Sequence, residues 1–143
     1  MIFGWLVEGA VDWLLTGMLL VFAGTLAALY LFQRRLIYMA DFPPGSRETV
    51  WRPDRFGMPY QTVKIRASDG VETVAYWIPS QSGGLKPTVF YFHPNAGNMG
   101  HRLPIVRRLK DLVDCNVFML SYRGYGESSG TADEAGIKRD VQA

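Results

Sequence analysis

The chain has 143 residues, 48% of them hydrophobic, and a formal net charge of +2, which gives no support to a nucleic-acid-binding function. A single cysteine, Cys115, excludes an internal disulfide framework. Because Cys115 adjoins a predicted strand, we expect a small buried hydrophobic residue there rather than a nucleophile.

An uncharged apolar segment runs from Trp13 to Phe32. Its length, about 20 residues, is that of a helix crossing a bilayer, so we predict a transmembrane anchor over residues 1–35. A cleaved signal peptide and a buried helix of a soluble protein are the alternatives. The acidic Glu8 and Asp12 before the segment argue against the first, and the lack of a polar face argues against the second.

Basic residues follow this segment and do not precede it. Arg34 and Arg35 come directly after it, and by the positive-inside rule the C-terminal part then faces the cytosol. The short N-terminal flank gives the rule little to compare, so the side of the membrane stays open.

Proline, glycine and charged residues dominate the stretch from Asp41 to Tyr60. Such a composition rules out long regular elements and predicts an irregular linker over residues 36–60. Residues 61–143 then form the predicted folded domain.

Two strands joined by a tight turn open this domain. Gln61 to Arg66 alternates polar and apolar residues, as a half-buried strand does. Asp69-Gly70 indicates a two-residue hairpin turn, and Val71 to Ile78 supplies the returning strand.

A strand, a helix and a second strand follow within about thirty residues. Thr88 to Phe92 is predicted as a buried strand, Met99 to Val113 has helical spacing with its basic residues outward, and Asn116 to Ser121 is a second buried strand. This βαβ unit predicts two parallel strands. The fold class is therefore α/β: a transmembrane helix, an antiparallel hairpin, and the first βαβ unit of a doubly wound parallel sheet.

The last predicted helix begins near Thr131. Thr131 and Glu134 have the spacing of a capping box. Asp133, Glu134 and Asp140 are then expected on the surface of this helix.

Polar loops follow both strands of the βαβ unit, at His93 to Asn98 and at Tyr122 to Gly130. The first loop opens a helix, where unpaired backbone N–H groups can bind an anion. The alternative is a plain strand-to-helix turn in which Asn95 and Asn98 cap the helix.

The loop sequences HPNAGN and YRGYGESSG, in this order, resemble the α/β-hydrolase superfamily. With RRLIY and FGMPY before them, they resemble more closely its membrane-anchored, bud-emergence-type members. Two departures are Pro94, where the superfamily usually has glycine, and Ser121, where it often has an acid.

The resemblance implies a serine hydrolase whose first loop donates one N–H to the oxyanion of the tetrahedral intermediate. By position that donor is the backbone of Asn95, with Ala96 as the second choice. His93 is expected to be a buried histidine that fixes the loop by a hydrogen bond, and His101 a surface or capping residue.

Gly126 to Gly130 matches the pattern Gly-x-Ser-x-Gly and offers Ser128 as a nucleophile. A nucleophile elbow needs a strand that runs straight into the turn, whereas the strand before Ser128 ends near Tyr122. We therefore expect Ser128 to be a decoy, with the true elbow beyond Ala143.

The resulting hypothesis is the N-terminal part of a membrane-anchored serine hydrolase that acts on ester, thioester or lipid-like acyl substrates, inactive as this chain alone. The alternatives are a non-catalytic membrane-bound interaction protein with a partial hydrolase fold, and a small complete hydrolase that uses Ser128. No cofactor and no metal are implied.

Overall fold

The computed structural model describes residues 2–143, and side chains from Gly9 onward. The chain divides into two compact units, with the boundary between Leu36 and Ile37.

The first unit is most of one long helix, α1 (Ile2–Ile37). Its side chains are exposed from Ala10 onward, although most are apolar. In the described part of the chain, this helix alone is long and apolar enough to cross a bilayer by length and composition.

The second unit is built on a four-stranded sheet in the order β1-β2-β4-β3. The strands are β1 (Gln61–Arg66), β2 (Glu72–Ile78), β3 (Thr88–Phe92) and β4 (Asn116–Ser121). β2 is antiparallel to both of its neighbours, whereas β3 and β4 are parallel, with Val89 opposite Val117. The predicted fold class, a hairpin followed by a βαβ unit, is confirmed.

The β1–β2 hairpin forms, but its turn is longer than predicted. Ala67 N–H bonds to Val71 O and Gly70 N–H bonds to Ala67 O, so the three residues from Ser68 to Gly70 make the turn. Gly70 has φ 85°, as in three-residue loops that end in a left-handed residue.

β3 is a strand, but the prediction that it is buried is wrong. Phe90 is 64% exposed and Phe92 is 44% exposed. The reason is its position at the end of the sheet, where it pairs only with β4 among the described residues.

The predicted crossover helix begins with a 3₁₀ turn (Met99–Arg102) and continues as α2 (Leu103–Leu112). Leu103 and Val106 are fully buried against the sheet. Lys110, expected on the outer face, is also buried, because its Nζ donates to Pro79 O at 2.6 Å and to Cys115 O at 3.0 Å. Cys115 is free and buried, as expected.

The last helix, α3 (Glu134–Gln142), begins later than the predicted capping box. Asp133, not Thr131, is its N-cap, because the Asp133 carboxylate accepts from Gly136 N at 2.6 Å.

The stretch predicted as an irregular linker over residues 36–60 begins with the last two residues of α1 and then contains a short 3₁₀ turn (Pro53–Phe56). Met58 is fully buried in the core, and Trp51 packs against it. The core itself lies between one sheet face and α2, where Tyr76, Val106 and Met119 are fully buried.

A buried guanidinium joins the hairpin turn to α3. Arg123 donates to Asp140 Oδ1 from Nη2 at 2.8 Å and to Asp69 Oδ2 from Nη1 at 2.7 Å. Asp140, expected on the helix surface, is therefore 2% exposed, and its other oxygen accepts from Arg123 N at 2.9 Å. The same guanidinium holds the pKa of Asp69 well below its usual range.

Replacing Arg123 by alanine should lower the free energy of unfolding strongly, because it leaves the Asp140 carboxylate buried and unpaired. Breaking one partner of a buried pair costs about 3–5 kcal/mol. Urea denaturation of the chain in detergent micelles measures the loss. Arg139→Ala is the matched control, since Arg139 also binds Asp69 but its side chain is 49% exposed. The control should lose less than about 1 kcal/mol, and an equal loss in both variants would contradict the structural role of Arg123.

Candidate active site

Two loops meet where the parallel strands β3 and β4 end. The loop from His93 to Asn98 follows β3, and the loop from Tyr122 to Gly130 follows β4. In open α/β sheets, ligands bind beyond the carboxyl ends of the strands. This edge of the sheet is therefore the candidate active site.

His93 links the two loops. Its side chain is buried, with Nδ1 2.8 Å from Pro94 O and Nε2 3.4 Å from Tyr122 N. Because Tyr122 N–H donates to Nε2, the proton of the neutral ring lies on Nδ1 and is donated to Pro94 O. The prediction of a buried histidine that fixes this loop is confirmed.

Burial keeps the His93 ring neutral. The pKa of His93 falls from 6.5 to about 4, mainly because the ring is buried; the hydrogen bond to Pro94 O acts in the opposite direction, and the nearby charge of Arg102 contributes to the lowering. The ring also lies among aromatic neighbours, 4.5 Å from the Tyr122 ring and 4.9 Å from the Tyr125 ring, measured between centroids. A neutral histidine whose two ring nitrogens both have hydrogen-bond partners acts here as a structural group.

In the first loop, two consecutive peptide groups are fixed by hydrogen bonds that their carbonyl oxygens accept. Pro94 O receives the His93 bond, and Asn95 O accepts from Tyr125 Oη at 2.8 Å and from Met39 N at 2.9 Å. Among the residues that the structure describes, the N–H groups of Asn95 and Ala96 meet no acceptor. The loop thus presents two adjacent backbone donors on fixed peptide planes.

The asparagine side chains of this loop have different partners. Asn98 caps the 3₁₀ turn, because its Oδ1 accepts from His101 N at 3.2 Å. Asn95 does not cap the helix, since its Nδ2 donates to Ile37 O at 2.6 Å. His101 is partly exposed and packs edge-on against the Trp51 ring, 5.7 Å away.

A cavity of about 370 Å³ lies beside this loop, with Asn95 in its lining. It is lined by Tyr38, His93, Asn95, Tyr122 and Tyr125, and by Glu134, Ile137 and Lys138 of α3. Half of its lining residues carry aromatic rings, so it suits an apolar or aromatic group placed next to a polar centre.

Ser128 lies away from this cavity, in the interior. It is 2% exposed, its Oγ donates to Ser121 O at 2.8 Å, and the same Oγ accepts from Val74 N at 3.0 Å. The hydroxyl therefore ties the second loop to β2 and has no histidine among its hydrogen-bond partners.

Tyr125, Met39 and Arg123 were not found by the sequence reasoning. Tyr125 and Arg123 lie in the second motif, YRGYGESSG, but nothing in that motif names their partners. Met39 lies just after α1 and pairs with Ala96 in an isolated parallel bridge. Only the fold brings these residues to the loop.

No protein-family model matches the chain. Over 118 residues, the chain is 48% identical to protein bem46 of Schizosaccharomyces pombe, a match that covers 82% of the chain and 40% of that protein. Over 124 residues, it is 41% identical to the α/β hydrolase domain-containing protein WAV2 of Arabidopsis thaliana, covering 87% and 40%. Over 117 residues, it is 35% identical to an uncharacterized membrane protein of Saccharomyces cerevisiae, covering 82% and 40%. The chain thus spans about 40% of the length of these relatives.

Solved structures agree on the fold. An α/β hydrolase of Vibrio vulnificus matches with a TM-score of 0.57 at 16% identity, covering 80% of this chain and 40% of that one. An esterase of Pyrococcus furiosus matches with a TM-score of 0.51 at 25% identity, covering 66% and 38%. The four-stranded mixed sheet, with loops at the ends of β3 and β4, is thus that of an α/β hydrolase. Together with the sequence relatives, this shows that the chain belongs to the α/β-hydrolase superfamily and to its Bem46-type group.

The folded state should lose stability as the pH falls from about 6.5 to about 4. His93 binds a proton less readily in the folded state than in the unfolded state, so between these values unfolding takes up a proton. The full effect corresponds to about 3 kcal/mol. Urea denaturation at several pH values measures it, with His93→Gln as the comparison. An unchanged pH dependence in that variant would show that His93 is not its source.

Proposed function

We propose that the chain is part of a membrane-anchored serine hydrolase and that its His93–Asn98 loop forms half of the oxyanion hole. The observation that carries the proposal is the pair of unpaired N–H groups, at Asn95 and Ala96, on peptide planes held from the carbonyl side. Backbone donors fixed before the reaction stabilise the oxyanion of an acyl-transfer intermediate without reorganising during the reaction.

The position of these donors also supports the proposal. In α/β hydrolases one oxyanion N–H comes from the loop after the third strand, and here that loop follows β3. We assign the role to Asn95 N–H first and to Ala96 N–H second. Pro94 has no N–H and contributes through its carbonyl, which holds His93.

We propose that residues 1–143 alone are catalytically inactive. Ser128 Oγ is buried and engaged by main-chain groups of Ser121 and Val74, and both ring nitrogens of His93 are engaged as well. No Ser–His hydrogen bond is found among the described residues. The nucleophile and its base then belong to sequence outside this chain.

The proposed anchor is α1. Its length and its apolar, exposed surface suit a bilayer, and one relative is called a membrane protein. Arg34 and Arg35 near its C-terminal end favour a cytosolic location for the folded unit. Lipid-like or acylated-protein esters are the proposed substrates, because they are presented at the membrane surface.

A second candidate function is a non-catalytic interaction protein on the membrane. It is favoured by the exposed rings of Phe90 and Phe92 on β3, a strand that pairs on one side only among the described residues. Such an edge can accept a strand of a partner. Hydrolysis by the complete gene product would decide against this candidate.

Replacing Asn95 by proline in the complete gene product should lower kcat for a soluble ester. Proline removes the N–H, and losing one oxyanion donor costs about 100-fold in kcat. Asn95→Ala is the matched control, because it removes the Nδ2 bond to Ile37 O but keeps the backbone donor. Equal activities of the two variants would show that the Asn95 N–H is not the oxyanion donor.

The chain of residues 1–143 should not react with a fluorophosphonate probe. Labelling followed by gel fluorescence measures this, and Ser128→Ala identifies the residue if a band appears. Labelling that disappears in Ser128→Ala would make Ser128 the nucleophile and contradict the proposal. The variant must first be shown to fold, since it loses two buried hydrogen bonds.

A further inference from the structure

We propose that Tyr125 is a positioning residue for the proposed hydrolysis: its hydroxyl holds the carbonyl of Asn95 and thereby aims the N–H of Ala96 at the oxyanion. The inference rests on the proposed function and names a residue outside the loop on which that function depends. Tyr125 acts on the oxyanion through the loop, by way of the hydrogen bond to Asn95 O.

The geometry of one peptide group carries the inference. Asn95 O and Ala96 N–H belong to the same planar trans peptide, so they point in opposite directions. Tyr125 Oη lies 2.8 Å from Asn95 O, and Met39 N lies 2.9 Å from the same oxygen. Two donors on one carbonyl fix the plane, and with it the direction of the Ala96 N–H.

These bonds also strengthen the donor. A hydrogen bond accepted by a carbonyl polarises its peptide, so the N–H of that peptide becomes a better donor. The peptide that carries the Asn95 N–H is held at Pro94 O by His93 alone, whereas the peptide of Ala96 has two partners at its carbonyl. Ala96, the second choice by position, is therefore the more firmly held donor.

Tyr125 is a rigid support for this peptide. Its side chain is fully buried, its N–H donates to Tyr122 O at 3.1 Å, and its carbonyl accepts from Ser121 Oγ and from Ser128 N, both at 3.0 Å. The phenol therefore starts from a fixed main chain at the end of β4. The conformation of the loop after β4 therefore determines where the Tyr125 hydroxyl holds the loop after β3.

Packing alone does not account for the hydroxyl. Phenylalanine would fill the same space and make the same ring contact with His93. A buried hydroxyl costs free energy unless it is bonded, and Asn95 O is the acceptor that the described residues provide. Burial also raises the pKa of Tyr125 to about 12, so the phenol remains a donor at neutral pH.

The first test uses backbone NMR of residues 1–143 in detergent micelles. In the wild type the order parameter of the Ala96 N–H should be about 0.85, and in Tyr125→Phe it should fall toward 0.6. Tyr91→Phe is the matched control, because Tyr91 packs against the core from β3 and has no part in the loop. An Ala96 order parameter that is equal in Tyr125→Phe and the wild type would overturn the proposed clamp.

The second test measures ester hydrolysis by the complete gene product in lipid nanodiscs. Tyr125→Phe should lower kcat roughly tenfold, a part of the loss expected for a whole donor, with KM within about twofold. Tyr91→Phe should change neither. A Tyr125→Phe enzyme with the wild-type kcat, or with a changed KM only, would overturn the positioning role.

The two tests separate the inference from the function on which it rests. A wild-type protein that neither hydrolyses esters nor reacts with fluorophosphonate would overturn the proposed function, and the catalytic part of this inference with it. The NMR measurement would still decide whether Tyr125 holds the Asn95–Ala96 peptide.

Discussion

Two parallel strands that end side by side leave polar loop groups that must find partners in one small volume. In this protein the loops after β3 and β4 satisfy each other. Tyr125 Oη donates to Asn95 O, and Tyr122 N–H donates to His93 Nε2. The conformation of each loop therefore depends on hydrogen bonds to the other loop. The two sequence motifs that follow these strands are therefore one structural unit, and a change in either one alters the donors that the first loop presents.

A second set of contacts, made by Arg123, stabilises this pair of loops. Arg123 follows Tyr122 directly, and its guanidinium is bound by Asp69 of the hairpin turn and by Asp140 of α3. α3 approaches so closely that a Cβ at Gly136 would lie 2.5 Å from Arg123 Cδ. The Arg123 guanidinium thus lies between two carboxylates and α3, which presents a glycine, Gly136, at the contact. Because these contacts fix the start of the second loop, they also fix the main-chain position from which the Tyr125 side chain extends.

The order and type of the elements could be predicted from the sequence because they depend on local patterns: alternation in β1, helical spacing in α2, and glycine at the hairpin turn. The burial of individual side chains could not be predicted from the sequence, because it depends on which residues the fold brings next to them. Phe90 is apolar yet exposed at the sheet edge, and Asp140 is charged yet buried against Arg123. The same limit applies to the site. His93 and Asn95 lie in a recognisable motif, whereas the partner of the Tyr125 hydroxyl lies 30 residues away.

The open side of β3 connects the fold to the proposed chemistry. β3 carries the proposed oxyanion loop at its carboxyl end, and its other side has no partner strand among the described residues. A further parallel strand paired there would flank Phe90 and Phe92 and would end beside His93, because the carboxyl ends of parallel strands meet at one edge. The residues after that strand would then face the Asn95 and Ala96 donors. If the proposed function is right, pairing a strand with β3 and bringing a nucleophile to the proposed oxyanion site are the same structural step.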